Sequence, residues 1–169
     1  MYPDYYNMYN KYYGFEDYDY RNNDFQPNSG EIITLNQAIR LIAQSVGDEK
    51  EDEIFYEMLI KQAPTEKEKD IIRSIRDDEK KHNQILRKLY YEFTGQTLPA
   101  DNFVKELNSN MDYKANLEKA LFGELDAVVK YRKIMGTMPS GDSYTLIMSI
   151  MTDELRHASK YNFLIHNAK

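Results

Sequence analysis

The chain contains no cysteine. That absence removes disulfides, thiolate zinc sites and thiolate-ligated iron–sulfur clusters, so any metal or redox chemistry must use oxygen and nitrogen ligands or a bound cofactor. No apolar run approaches the roughly 20 residues that cross a bilayer, and the N-terminus lacks the apolar core of a secretory signal. A cytoplasmic protein with no membrane partner is expected. A basic surplus is also missing. Lys and Arg number 22 against 28 Asp and Glu, a net charge of −6, which argues against a nucleic-acid partner. What remains is one chain of 169 residues, 41% hydrophobic and 30% charged, enough for a single domain with a core under a very polar surface.

Two regions differ in composition. Residues 1–30 hold Tyr2, Tyr5, Tyr6, Tyr9, Tyr12, Tyr13, Tyr18 and Tyr20 among Asn, Asp and Gly, with neither helical nor alternating periodicity. This reads as a low-complexity, disordered tail that can serve as a docking segment for a partner. From residue 31 to 169 the pattern is helical. A first helix is expected from about Thr34 to Gln62, opened by a Thr34/Gln37 capping box and ended by Pro64. A second runs from about Glu66 to Phe93, with a Thr65/Glu68 capping box and Gly95 as its stop. Residues 95–112 form a long connection. A third helix spans about Tyr113 to Met135 and a fourth about Ser143 to His166, with Asp142 as the expected N-cap. Short links within each pair predict two antiparallel hairpins, and the long connection lets the second and third helices run the same way. The expected class is all-α, a four-helix bundle with one crossover.

Each helix carries an apolar stripe at spacings of three and four, and each stripe is broken by a carboxylate near its middle. The second reads Ile72, Ile75, Glu79, His82, Leu86, Leu89, Phe93; the fourth reads Ile147, Ile150, Glu154, His157, Tyr161, Leu164. The first gives Leu35, Ala38, Ile42, Ser45, Glu49, Tyr56, Ile60, and the third Leu117, Leu121, Glu124, Val128, Tyr131, Met135. Isolated carboxylates in a core are costly enough that they neutralise or find compensation. Two divalent cations would balance four carboxylates, and two neutral imidazoles would complete the ligand set. Glu-x-x-His suits this role because residues three apart share a helix face. The alternative is a metal-free network of buried ion pairs, but no Lys or Arg shares these stripes.

The halves of the chain also repeat. An offset of 75 residues carries Glu49 to Glu124, Tyr56 to Tyr131, Asp78 to Asp153, Glu79 to Glu154 and His82 to His157. One Glu-x-x-His is a weak signal; two in register, each with a matched upstream Glu and Tyr, are a strong one. With these motifs the region from about 34 to 167 resembles the ferritin-like di-iron carboxylate proteins, and among them the rubrerythrins. The resemblance implies a ferritin-like four-helix bundle holding two iron ions, with manganese or zinc as alternatives. It implies Glu49 and Glu124 as terminal ligands, Glu79 and Glu154 as bridging ligands, and His82 and His157 as nitrogen ligands. It implies Asp78 and Asp153 as acceptors for the histidine N–H groups of the opposite helix. Tyr56 and Tyr131 become candidate catalytic residues, as donors to the ligand set; plain core packing is the competing reading.

The chain departs from rubrerythrins at two points. Those proteins carry a rubredoxin domain with four cysteines, so an external electron-donor protein is expected here. They also place an extra Glu three residues after the third-helix ligand, where this chain has Ala127; the related place in the first helix holds Asp52, a shorter candidate carboxylate. The expected function is an oxidoreductase acting on hydrogen peroxide or dioxygen or oxidising Fe²⁺, a role in oxidative stress, with a homodimer compatible with the bundle. The alternative is a non-catalytic metal-holding structural, coat or stress-associated protein whose tail mediates interaction. Glu53, one turn from Glu49, competes for the ligand role. Gly47 and Gly123 inside helices are expected to mark close packing or a local irregularity.

Overall fold

The computed structural model describes residues 33–100 and 111–168. The tail 1–30 and the centre of the long connection therefore lie outside the described residues. Four helices make up the rest: α1 (Leu35–Gln62), α2 (Glu66–Thr94), α3 (Tyr113–Met135) and α4 (Asp142–Asn167). Among the described residues no helix is long and apolar enough to cross a membrane.

The ends of the helices follow from local chemistry. Thr34 and Thr65 each accept from the backbone N–H three residues on, while Gln37 and Glu68 reach back to the cap N–H. Each box satisfies two donors that a helix start leaves open. Gly95 ends α2 in the left-handed region at φ 69°, where a side chain would be strained. Asp112, which the sequence reading left in the connection, caps α3 through Ala115 N–H at 2.8 Å. The expectation for α4 needs correction. Asp142 is its first helical residue, and the N-cap is Gly141 at φ 125°, with no side-chain cap bond. Glycine alone takes that backbone shape freely, so the turn displaces the cap by one residue, and Asp142 favours the helix through its charge in the first turn.

α1 packs on α2 and α3 on α4 as hairpins, and α1 also meets α3 while α2 meets α4. Cross-helix pairs fix the directions. Tyr56 reaches Glu124 whereas Glu49 receives Tyr131, so α1 and α3 are antiparallel. His82 reaches Asp153 and His157 reaches Asp78, so α2 and α4 are antiparallel as well. α2 and α3 therefore run the same way.

The core divides into two apolar clusters with a polar layer between them. One contains Tyr56, Leu59, Ile72, Ile75, Leu117, Ala120, Tyr161 and Leu164. The other contains Ala38, Ile42, Val46, Leu86, Leu89, Tyr131, Ile134, Ile147 and Ile150. Burial of each large aliphatic side chain stabilises the bundle by roughly 1.5–3 kcal/mol, and that gain holds the polar layer in place. The expected stripes are the buried faces, except that Leu35 is exposed and Leu121, Val128, Met135 and Phe93 are half-buried.

Gly47 and Gly123 lie within unbroken helices, and a Cβ built on either meets nothing within 4 Å. Neither close packing nor an irregularity explains them. Gly47→Ala and Gly123→Ala should each stabilise the protein by about 0.5–1 kcal/mol, because alanine loses less backbone freedom in a helix. Urea melts of the two variants check this; a loss of stability would show that these positions do need glycine.

Candidate metal centre

Each helix brings one carboxylate to the middle layer, and α2 and α4 each add an imidazole three residues later. Glu49, Glu79, His82, Glu124, Glu154 and His157 are all buried, none more than 4% exposed. Ligand atoms of Glu49, Glu79, His82 and Glu154 lie within 4.8 Å of one another, and so do those of Glu79, Glu124, Glu154 and His157. The two groups share Glu79 and Glu154. All six sequence-nominated ligands therefore meet at one place, as two overlapping sites with a common pair of carboxylates.

The histidines face the carboxylates through Nδ1. His82 Nδ1 is 2.8 Å from Glu79, 3.3 Å from Glu154 and 3.6 Å from Glu49. His157 Nδ1 is 3.0 Å from Glu79 and 3.5 Å from both Glu124 and Glu154. The outer nitrogens are tied down. His82 Nε2–H donates to Asp153 and His157 Nε2–H to Asp78, each at 3.3 Å and each across the α2/α4 face. A carboxylate can only accept, so it fixes the proton on Nε2 and leaves the Nδ1 lone pair for the centre. The two rings stand side by side with centroids 5.8 Å apart.

Tyr56 donates to Glu124 Oε1 at 2.7 Å, and Tyr131 donates to Glu49 Oε1. The sequence nominated both tyrosines as donors to the ligand set; the fold pairs each with the glutamate of the other hairpin. One oxygen of each terminal carboxylate is thus held, and the second is left for the centre. Glu49 Oε2, Glu79 Oε1, Glu154 Oε1 and His157 Nδ1 are buried and make no well-aligned hydrogen bond among the described residues, although His157 Nδ1 stands 3.0 Å from Glu79 Oε1 and His82 Nδ1 3.3 Å from Glu154 Oε1. Buried polar atoms are normally satisfied, and each orphan costs about 1–3 kcal/mol. Four converging orphans, all oxygen or imidazole nitrogen, fit a pair of divalent cations.

Competing carboxylates are placed by the fold. Glu53 points away and pairs with Lys50 at 2.7 Å and Lys80 at 3.5 Å. Asp52 is half-buried, and its oxygens belong to neither four-residue group. Ala127 lines the apolar cluster beside Tyr131. A feature that sequence reasoning missed covers the α2/α4 face. Arg156 bridges Asp78 at 2.8 Å and Asp153 at 2.9 Å, and Lys81 holds Asp78 at 2.7 Å. A signal existed, since Lys81 and Arg156 precede the two histidines and obey the same 75-residue offset.

Without a cation the centre must balance its charge with protons. Burial, joined by the like charges of Glu49 and Glu124, pushes Glu79 well above the carboxylate range. Burial and the charge of Glu79 do the same to Glu154. Burial also acts on Glu49, but hydrogen bonds with His82 and Glu79 outweigh it and keep Glu49 ionised. Burial opposes the imidazolium of His157, yet Glu124 and Glu154 raise it to about 9, and His82 is raised further by Glu154, Glu49 and Glu79. Burial and the charges of Glu49 and Glu124 lift Asp52 to about 8. Burial works against Asp78 too, but Lys81 and His157 hold it well below the carboxylate range.

No family model and no curated protein matches the sequence. Among solved structures, a hypothetical protein from Pyrococcus furiosus aligns with a TM-score of 0.65 at 21% identity, over 79% of this chain and 94% of that one. The likeness is one of fold. It assigns no chemistry, so the reading of the site rests on the site's own geometry.

The raised groups give a signed expectation for pH. Glu79, Glu154, Asp52, His82 and His157 all hold protons more tightly folded than unfolded, so their contribution is complete below the unfolded values and is lost as pH rises through the folded ones. Glu49 and Asp78 have the opposite sign but act below the ordinary carboxylate range. In chelator, the melting temperature should therefore fall steadily from about pH 5 to about pH 9. Thermal melts across that range test it; a flat or rising curve would contradict the charge balance described.

Proposed function

We propose that this chain is a di-metal carboxylate protein of the ferritin-like, rubrerythrin-like kind, with iron as its metal and peroxide or dioxygen reduction, or Fe²⁺ oxidation, as its reaction. The observation that carries the proposal is the pair of overlapping four-residue groups whose shared carboxylates and inner nitrogen hold orphaned atoms. Glu49 and His82 would hold one ion, Glu124 and His157 the other, and Glu79 and Glu154 both. Four carboxylates offset two divalent cations, and exchanging the protons of the metal-free centre for those cations costs no net charge. Hard oxygen and imidazole donors suit iron or manganese, although affinity alone also admits zinc.

Two ferrous ions held there would supply the two electrons that convert one peroxide, with two protons, to two waters. The chain's own residues do the remaining work. Tyr56 and Tyr131 orient the terminal carboxylates, Asp78 and Asp153 fix the imidazole tautomer, and the apolar clusters on either side exclude bulk water. Electrons to restart the cycle would come from a separate protein. A cytoplasmic setting, a tail-binding partner and a homodimer remain parts of this proposal.

Protein purified from its native host should contain two iron ions per chain by elemental mass spectrometry. Anaerobic Fe²⁺-loaded protein should remove one H₂O₂ for every two irons. Two bound metals with persistent peroxide and no oxygen uptake would instead favour a metal-holding structural protein. Glu79→Gln and Glu154→Gln provide a sharper contrast. In chelator at pH 8 each should be at least as stable as the parent, since the amide imitates the protonated acid. Each should also lose at least one metal per chain. A chain in which these variants are strongly destabilised and metal is never bound would be an ion-paired bundle.

A further inference from the structure

The centre is sealed at both ends by apolar clusters, so a hydrated cation must enter from the side. The two hairpin faces, α1/α2 and α3/α4, are the most extensively packed. That leaves the two faces between hairpins, and they differ in charge. On the α2/α4 face stand Arg156 and Lys81, engaged with Asp78 and Asp153, and Lys160, which donates to Ser74 at 2.9 Å. Behind them the histidines present N–H groups, which are donors. Cations stand at the surface of this face, and the Asp78 and Asp153 oxygens on it are already paired.

The α1/α3 face is built differently. Asp52 lies one turn from Glu49, half-buried, and faces both Glu49 and Glu124. It makes no hydrogen bond or ion pair among the described residues. The pairing of Tyr56 with Glu124 and of Glu49 with Tyr131 sets the register that puts Asp52 opposite Ala127 and Val128. Ala127 is the matched half's residue at the position of Asp52, and it offers no carboxylate. The nearby cation, Lys130, is drawn to Asp48 at 3.0 Å and lies over the Tyr131 ring. Glu49, one turn away on the same helix, has its Oε2 buried with no hydrogen-bond partner among the described residues. The Asp52 oxygens belong to neither four-residue group, and Asp52 is partly exposed where the six residues of those groups are buried.

We infer that Asp52 is the entry residue of the metal centre: divalent cations reach Glu49 between α1 and α3, captured first by the Asp52 carboxylate. The inference rests on the di-metal reading above and adds a route and an asymmetry to it. The asymmetry is that the matched place in the other half holds Ala127, which has no carboxylate to capture a cation.

The test uses the full chain, freed of metal, mixed with Co²⁺ in a stopped-flow instrument, with ligand-field absorption as the signal. Asp52→Asn should load about tenfold more slowly, as expected when a focusing charge is removed, and still reach two Co²⁺ per chain by equilibrium dialysis. Lys130→Gln should load faster than the parent. Full equilibrium loading of Asp52→Asn also shows that the variant folds. The inference is overturned if Asp52→Asn loads at the parent rate. It is equally overturned if that variant binds fewer ions or binds them more weakly at equilibrium, which would make Asp52 a ligand. If the parent chain itself binds no Co²⁺ in dialysis, the di-metal reading fails, and that result is distinct from a change in rate.

Discussion

Four carboxylates buried at one depth are the constraint around which this bundle is arranged. In water they would repel one another mildly; in the middle of a helical core the repulsion and the lost hydration are severe. Everything around the centre answers that problem. The imidazoles turn Nδ1 inward, Asp78 and Asp153 hold their outer nitrogens, and Tyr56 and Tyr131 each take one carboxylate oxygen. What is left over is a set of inward-facing oxygen and nitrogen atoms that could hold a metal ion.

The energetic arrangement is one of support from outside. The two apolar clusters provide the stability, and the polar layer between them draws on it. Interactions beyond the centre are shared across helices that are not neighbours in sequence. Arg156 of α4 bridges Asp78 of α2 and Asp153 of its own helix. Tyr131 of α3 serves Glu49 of α1. The Arg156–Asp78 and Tyr131–Glu49 bonds span the two hairpins, so the geometry of the centre depends on their docking, and the centre in turn aligns them.

Near-symmetry is broken at chosen points. The 75-residue repeat gives equivalent ligands, but Asp52 matches Ala127, Tyr161 matches Leu86, and Ser45 matches Ala120. Tyr161 is fully buried, packs against Tyr56 at 5.7 Å between ring centroids, and has no hydrogen-bond partner for its hydroxyl among the described residues. The surroundings of Glu124 are therefore aromatic and phenolic where those of Glu49 include a small hydroxyl and an extra acid. Two sites with matched ligands but different surroundings need not bind or react alike.

The sequence by itself determined the helices, their buried faces and the six residues of the centre. Those follow from periodicities of three and four, from capping chemistry, and from a repeat that places Glu and His at fixed spacings. These are local properties, and local properties survive in a one-dimensional string. It misplaced the start of α4, because the φ of Gly141 belongs to a turn whose shape the flanking helices impose. It left Gly47 and Gly123 open, because the space beside a residue is not written in its neighbours. Only the tertiary structure decided which tyrosine serves which glutamate, that Glu53 turns outward, and that Arg156 closes one face while Asp52 stands unpaired in the other. Those are facts about distance between segments tens of residues apart, and they arise only when the two hairpins dock and bring their carboxylates to the same depth.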